Sequence, residues 1–137
     1  MDQVAPEERF ALDPYQDWID REGIPVAEAL FSQLKVDGFF LEYDDARSGD
    51  FKPLRFTPKG GPVIVLGLIT TKKPELESKD EVRRRIDEAT KYVDLDQLAL
   101  SPQCGFSSTV EGNAISYEQQ WAKLRLVVET AAEVWGD

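Results

Sequence analysis

The sequence predicts an α/β domain built from parallel strands. Three observations carry this reading. Short apolar runs alternate with helix-period segments in the order α-β-β-α-β-α, the pattern of parallel β/α units joined by right-handed crossovers. Residues 62–69, Pro-Val-Ile-Val-Leu-Gly-Leu-Ile, form a continuous β-branched run, the habit of a strand buried on both faces of a parallel sheet. The chain has 137 residues, the size of one domain at roughly 100–150 residues each.

The elements follow in order. Residues 1–24 carry Asp, Glu, Pro and Gln with Phe10, Tyr15 and Trp18 scattered among them, and neither alternation nor helical spacing is strong there. They read as a poorly specified arm, with a short helix possible over 13–20. From Pro25 the signal sharpens. Val26, Ala27, Leu30, Phe31 and Leu34 recur at helical spacing, and Pro25 suits a first helical turn. Asp37-Gly38 breaks the chain. Phe39-Phe40-Leu41 then reads as a buried strand, closed by Glu42-Tyr43-Asp44-Asp45. Residues 44–61 are loop-like, with a helical turn near 50–56.

After the central strand comes a polar loop holding Pro74. Ser78 and Glu81 then make a capping box. Val82, Ile86, Ala89 and Val93 form the apolar stripe of the next helix. Residues 97–100 are a third strand, and 101–114 a loop. Ser116 and Gln119 make a second capping box. Trp121, Leu124, Val127, Val128, Ala131 and Trp135 read as the inner face of a long helix, with Gly136 at its C-cap. Three strands cannot close a barrel, and a complete eight-fold β/α barrel needs about 250 residues. The residues alone leave a small open sheet or part of a larger barrel, and length prefers the open sheet.

Composition excludes several functions. Sixteen Lys plus Arg against 26 Asp plus Glu give a formal charge of −10. The longest basic run is Arg83-Arg84-Arg85, so no nucleic-acid phosphate backbone is expected as a partner. No apolar run nears the roughly 20 residues of a membrane helix. The opening MDQVAPEERF is acidic where a signal peptide is basic. One cysteine precludes an intrachain disulfide and suggests a reducing, cytoplasmic setting. Without histidine, these residues cannot form a Ser-His-Asp triad, a Cys-His pair or a His-ligated metal site.

Parallel β/α folds gather reactive groups at the C-terminal ends of their strands. That rule selects residues 42–45, 70–72 and 101–105. The first offers the carboxylate of Glu42 and the third the thiol of Cys104, a donor mix zinc accepts. Plainer readings compete. A lone cysteine is most often a small buried hydrophobe, and a glutamate after a strand is usually a solvated charge. Asp44, Asp45, Arg47 and Asp50 read as a loop ion-pair network. Arg83 to Arg85 read as a solvated helix face, and Trp121 and Trp135 as core.

Three stretches carry a family resemblance: FFLEYDDARSGDFKPLRF (39–56), VIVLGLITTKKPELE (63–77) and LALSPQCGFSSTVEGN (98–113). Together they resemble the C-terminal catalytic barrel of cobalamin-independent methionine synthase and its close relatives. The match runs in one order over roughly residues 25–137, and LEYD combined with SPQCGF makes it specific. The resemblance implies the last three or so βα units of a partial (β/α)8 TIM-type barrel, preceded by the arm. It implies zinc, with the family's glutamate ligand falling on Glu42 and its last cysteine on Cys104. It implies a parent reaction in which a methyl group passes from 5-methyltetrahydrofolate to the sulfur of homocysteine, giving methionine. SPQCGF differs from the NPDCGL-type loop of the long plant and enteric forms, so the acceptor is homocysteine or another small thiol.

The family's His-x-Cys zinc ligands have no counterpart here, and neither do its earlier substrate-binding strands. The expectation is therefore a segment inactive as an isolated chain, with no complete set of catalytic residues. Its open sheet edges predict self-association, a partner chain that completes the barrel, or marginal stability. The competing reading is a non-catalytic α/β remnant or interaction module.

Overall fold

A computed structural model describes residues 25–43, 50–107 and 112–136. The arm over 1–24, and Asp44, Asp45 and Arg47 of the expected ion-pair loop, lie outside the described residues. Helix α1 (Pro25–Glu28) runs into a π-helical turn (Ala29–Gln33), closed by Leu34 N–H donating to the Ala29 carbonyl at 3.0 Å. Strand β1 (Gly38–Glu42) follows, then a 3-10 turn (Lys52–Phe56) and strand β2 (Val63–Ile69). Helix α2 (Lys79–Ala89) leads through a second 3-10 turn (Leu95–Gln97) to strand β3 (Leu98–Pro102). Helix α3 (Tyr117–Trp135) ends the described chain.

The strands form one parallel sheet in the order β1-β2-β3. This is the α/β architecture with an open parallel sheet that the sequence predicts. The alternation of the pleat divides the two faces. Phe39, Ile64, Leu66 and Leu98 point to one side, where Ala27, Phe31, Val82, Ile86 and Leu126 from the helices meet them in the core. The rings of Phe31 and Phe39 pack edge-to-face, 5.2 Å between centroids. The other face is open: Phe40 on it is 80% exposed, which leaves half of β1 uncovered.

Several boundaries shift. β3 starts one residue later than expected because Gln97 serves a different purpose. Its side-chain oxygen accepts from Gly60 N–H at 3.0 Å, and its amide nitrogen donates to the carbonyls of Pro58 and Pro62 at 3.0 and 3.3 Å. One buried glutamine thus satisfies the turn that feeds β2. Ser78 caps α2 by accepting from Glu81 N–H at 3.4 Å, but the Glu81 carboxylate turns to Arg84 at 2.5 Å instead of closing the box. Ser116 and Gln119 close theirs in full. Gly136 sits at φ 84°, with its N–H on the Ala132 carbonyl at 2.9 Å, a fit for the expected C-cap glycine. Leu34 lies past the helix end and is exposed.

The inner face of α3 differs most from expectation. Trp121 and Val128, read as core, are 64% and 68% exposed. Val127 and Trp135 of the expected face do pack against the core, joined by Lys123, Leu126, Thr130 and Val134. The physical reason is a buried ion. Lys123 is 0% exposed, and its ammonium donates to Glu77 Oε1 and to the Glu75 carbonyl, both at 2.7 Å. A paired, hydrogen-bonded lysine can occupy a core position that apolar counting gives to tryptophan. Glu77 accepts in turn from Thr70 N–H at 2.6 Å, so α3 fixes the loop at the C-terminal end of β2.

Lys123→Met therefore leaves a largely buried carboxylate without its cation. The expected loss is about 2–4 kcal/mol in urea unfolding, less than for a fully buried pair because Glu77 keeps some solvent. Adding Glu77→Gln should recover part of it, whereas an unchanged midpoint in Lys123→Met would contradict the assignment.

Candidate functional site

The sheet register builds the site. Glu42, the last residue of β1, lies opposite Gly67 on β2, and Gly67 lies opposite Ser101 on β3. This row is the C-terminal rim of the sheet. The pairing carries one step further on each side: Tyr43 N–H donates to the Gly67 carbonyl at 2.8 Å, and Gln103 N–H donates to the Ile69 carbonyl at 2.9 Å. The chain after β3 is thereby held beside β2, and Cys104 comes next. Its Sγ donates to Glu42 Oε1 at 2.9 Å. Two groups 62 positions apart, both singled out by the strand-end rule, are in hydrogen-bond contact.

The pair is open to solvent and faces a cleft of about 210 Å³ lined by Phe40, Glu42, Gly67, Ser101, Gln103 and Cys104. Gln103 is the odd member: its amide nitrogen and oxygen are buried and meet no hydrogen-bond partner among the described residues. The Cys104 thiol is pushed above its ordinary range. The hydrogen bond to Glu42 is the main cause, with that carboxylate's charge and slight burial adding to it, while Lys72 pulls the other way. A proton shared with a carboxylate is held more tightly than one on a free thiol.

Supporting groups fix Glu42 from behind. Tyr43 is buried, with its ring 4.7 Å from that of Phe51. Burial raises its phenol above the usual range, Asp50 adds to this, and Arg85 opposes it. Arg85 reaches from α2 to donate to the Tyr43 carbonyl, and its guanidinium lies 5.3 Å from the Phe51 ring. Only Arg83 and Arg84 are the solvated residues expected of the arginine run; Arg85 is half-buried, and burial lowers its pKa. On the thiol side, the Asn113 amide donates to the Thr71 carbonyl at 2.8 Å and to the Gly105 carbonyl at 3.4 Å. The loop carrying Cys104 is thus tied to the end of β2.

Gly67 escaped the strand-end rule because it lies inside a strand. A Cβ there would sit 2.9 Å from the Leu41 carbonyl oxygen and 3.5 Å from Glu42 Cα. Any side chain would displace the backbone that presents the carboxylate. The available signal was a lone glycine within an apolar β-branched run, which marks close backbone approach. Arg85, Asn113 and Lys123 carried no comparable signal, because their roles depend on long-range packing.

The family profile described as "Cobalamin-independent synthase, Catalytic domain" matches residues 25–133. The chain belongs to this family. The Bacillus subtilis protein YxjG is 62% identical over 109 residues, covering 80% of this chain and 29% of YxjG. A Listeria monocytogenes structure described as a putative vitamin-B12 independent methionine synthase superposes with a TM-score of 0.67 at 48% identity, over 82% of this chain and 32% of that one. A B12-independent methionine synthase from Shewanella sp. W3-18-1, solved in complex with selenomethionine, superposes with a TM-score of 0.64 over 90% of this chain and 35% of that one. At 22% identity that likeness concerns the fold alone. The chain thus spans about a third of the length of the relatives it matches. No described helix is long and apolar enough to cross a membrane.

Removing the carboxylate should free the thiol. In Glu42→Gln the Cys104 pKa falls, so the thiolate fraction at pH 7–8 rises. Iodoacetamide should then alkylate Cys104 faster, by about threefold if the pKa falls by one, since lower basicity offsets part of the gain. At a pH above both thiol pKa values the order should reverse, with the variant slower by about threefold, because both thiols are then ionised and only the lower basicity remains. Equal rates at neutral pH would contradict the contact.

Proposed function

We propose that residues 25–137 are the C-terminal part of a methionine synthase-like β/α barrel, and that Glu42 and Cys104 contribute two ligands to its zinc site. The observation that carries this is the 2.9 Å contact between a carboxylate and a thiol at the C-terminal rim of a parallel sheet. In kind the donors suit zinc, which binds cysteine thiolate at about 2.3 Å and carboxylate oxygen at about 2.0–2.2 Å. In number they fall short. Catalytic zinc takes three protein ligands as a rule, and no group of three or more His, Cys, Asp and Glu side chains converges among the described residues. With no histidine and no second cysteine in the sequence, the His-x-Cys ligands of this reading would come from outside these 137 residues.

The reaction proposed for the completed site is methyl transfer from methyltetrahydrofolate to the thiolate of homocysteine or another small thiol. Zinc bound there supplies Lewis acidity that keeps an incoming thiol ionised near neutral pH. This chain's own groups have narrower tasks. Cys104 would hold the metal as a thiolate, its proton lost to solvent, and Glu42 would hold it through a carboxylate whose backbone is fixed by Gly67 and Arg85. Gly67 keeps the floor of the cleft clear beside Glu42. The two ligands by themselves do not make a competent methyltransferase, so activity is expected only with the rest of the barrel.

Cobalt(II) is a spectroscopic substitute for zinc and tests the ligand assignment directly. Titration should give a thiolate-to-metal charge-transfer band, absent in Cys104→Ser. Glu42→Gln should weaken binding by at least about one or two orders of magnitude, since even partners that only orient a ligand cost that much when lost. Binding should tighten as pH rises, because the Cys104 proton must leave. A wild-type chain that folds and shows no band at millimolar cobalt would contradict the proposal and favour the non-catalytic module.

A further inference from the structure

The strand-end rule selects residues 70–72 along with Glu42 and Cys104, and neither the metal reading nor the fold gives Lys72 a task. β2 lies between β1 and β3, so the chain that leaves it emerges between the segments carrying the carboxylate and the thiol. Its path is fixed there. The Ile69 carbonyl accepts from Gln103 N–H at 2.9 Å, and the Asn113 amide reaches the carbonyls of both Thr71 and Gly105. Thr71 and Gly105 are the chain neighbours of Lys72 and Cys104, so one side chain holds the two segments together. Lys72 N–H donates to Thr70 Oγ1 at 3.1 Å, which shapes the turn that carries the lysine. The Cys104 thiol feels both charges: Glu42 raises its pKa most, and Lys72 acts in the opposite direction.

Lys72 is exposed and has no carboxylate within ion-pair distance among the described residues. The contrast with other basic residues is clear. Lys52, Lys79, Arg83, Arg84 and Lys123 each pair with an aspartate or glutamate, and Arg85 is engaged by the Tyr43 carbonyl. The chain's charge of −10 and the Glu42 carboxylate both repel an anion that approaches the thiol. An unpaired ammonium at this point offsets that repulsion for a ligand whose own carboxylate reaches it.

We propose that Lys72 receives a substrate carboxylate beside the Glu42–Cys104 pair, and so selects acid-bearing substrates over neutral ones. This rests on the reading of the rim as the reacting site. Two sources offer the same chemistry: the amino-acid carboxylate of the small thiol, and the glutamate end of the folate.

Two alkylating reagents of nearly equal shape test this on the metal-free full chain. Iodoacetate carries a carboxylate and iodoacetamide a neutral amide, and both lose iodide to the Cys104 thiolate. The ratio of their rate constants cancels any change in the thiol itself. Lys72→Gln should lower the iodoacetate-to-iodoacetamide ratio by about two- to fivefold, the range an exposed ion pair supports. Lys72→Arg should keep the ratio, and added salt should bring the wild-type value toward that of Lys72→Gln. Millimolar methionine has the amino-acid carboxylate and no competing thiol. It should slow iodoacetamide in the wild type and not in Lys72→Gln where the small thiol is the source; γ-glutamylglutamate should do so where the folate is. An unchanged ratio in Lys72→Gln, or protection by neither compound, overturns the proposal. A lowered ratio in a chain that gives no cobalt–thiolate band sinks the metal reading alone; a band with an unchanged ratio sinks this one alone.

Discussion

The parallel register of three strands is the constraint from which the rest of the molecule follows. It sets Glu42, Gly67 and Ser101 in one row at the rim. A shift of one residue in any strand would turn that strand's rim residue to the opposite face and separate the carboxylate from the thiol. The register is protected on the helix side by the pattern of the strands: Phe39, Ile64, Leu66 and Leu98 must all be buried together. The same alternation that builds the core therefore aims Glu42 at the cleft.

A second layer of polar contacts holds what the strands cannot. Three loops meet at the rim: side chains from α2 and α3 tie the first two, and Asn113 ties the third to the second. Arg85 holds the end of β1, Lys123 acts through Glu77 on the end of β2, and Asn113 joins the β2 end to the Cys104 loop. At the opposite end of the sheet, Gln97 and the Gly61 N–H bond to the Pro58 carbonyl satisfy the turn before β2. Polar ties are thus concentrated at the rim, on both sides of the Glu42–Cys104 contact. The Cys104 thiol donates to its carboxylate partner, so the two groups hold each other at the rim.

Much of this was legible in the sequence. The β-branched run of β2, the stripe of α2 and both serine caps are local patterns, and each appears where local physics puts it. Glu42 and Cys104 were legible because strand ends are where parallel folds place their chemistry. The failures share one cause. Apolar periodicity puts Trp121 in the core and is silent on Lys123, because it cannot know that Glu77 and the Glu75 carbonyl await an ammonium 46 and 48 positions away. The run Arg83 to Arg85 reads as solvated throughout because the acceptor of Arg85 is 42 positions upstream. Two overlapping apolar stripes on α3 cannot be ranked from the helix alone; the buried ion decides between them.

The central claim is that the sulfur at 104 and the carboxylate at 42 share one metal ion. X-ray absorption at the zinc edge of the zinc-loaded protein measures this most directly. The account predicts one sulfur scatterer at about 2.3 Å in a shell otherwise of light atoms, lost in Cys104→Ser, with a weakened light-atom shell in Glu42→Gln. A shell of oxygen and nitrogen alone, identical in wild type and Cys104→Ser, would contradict it.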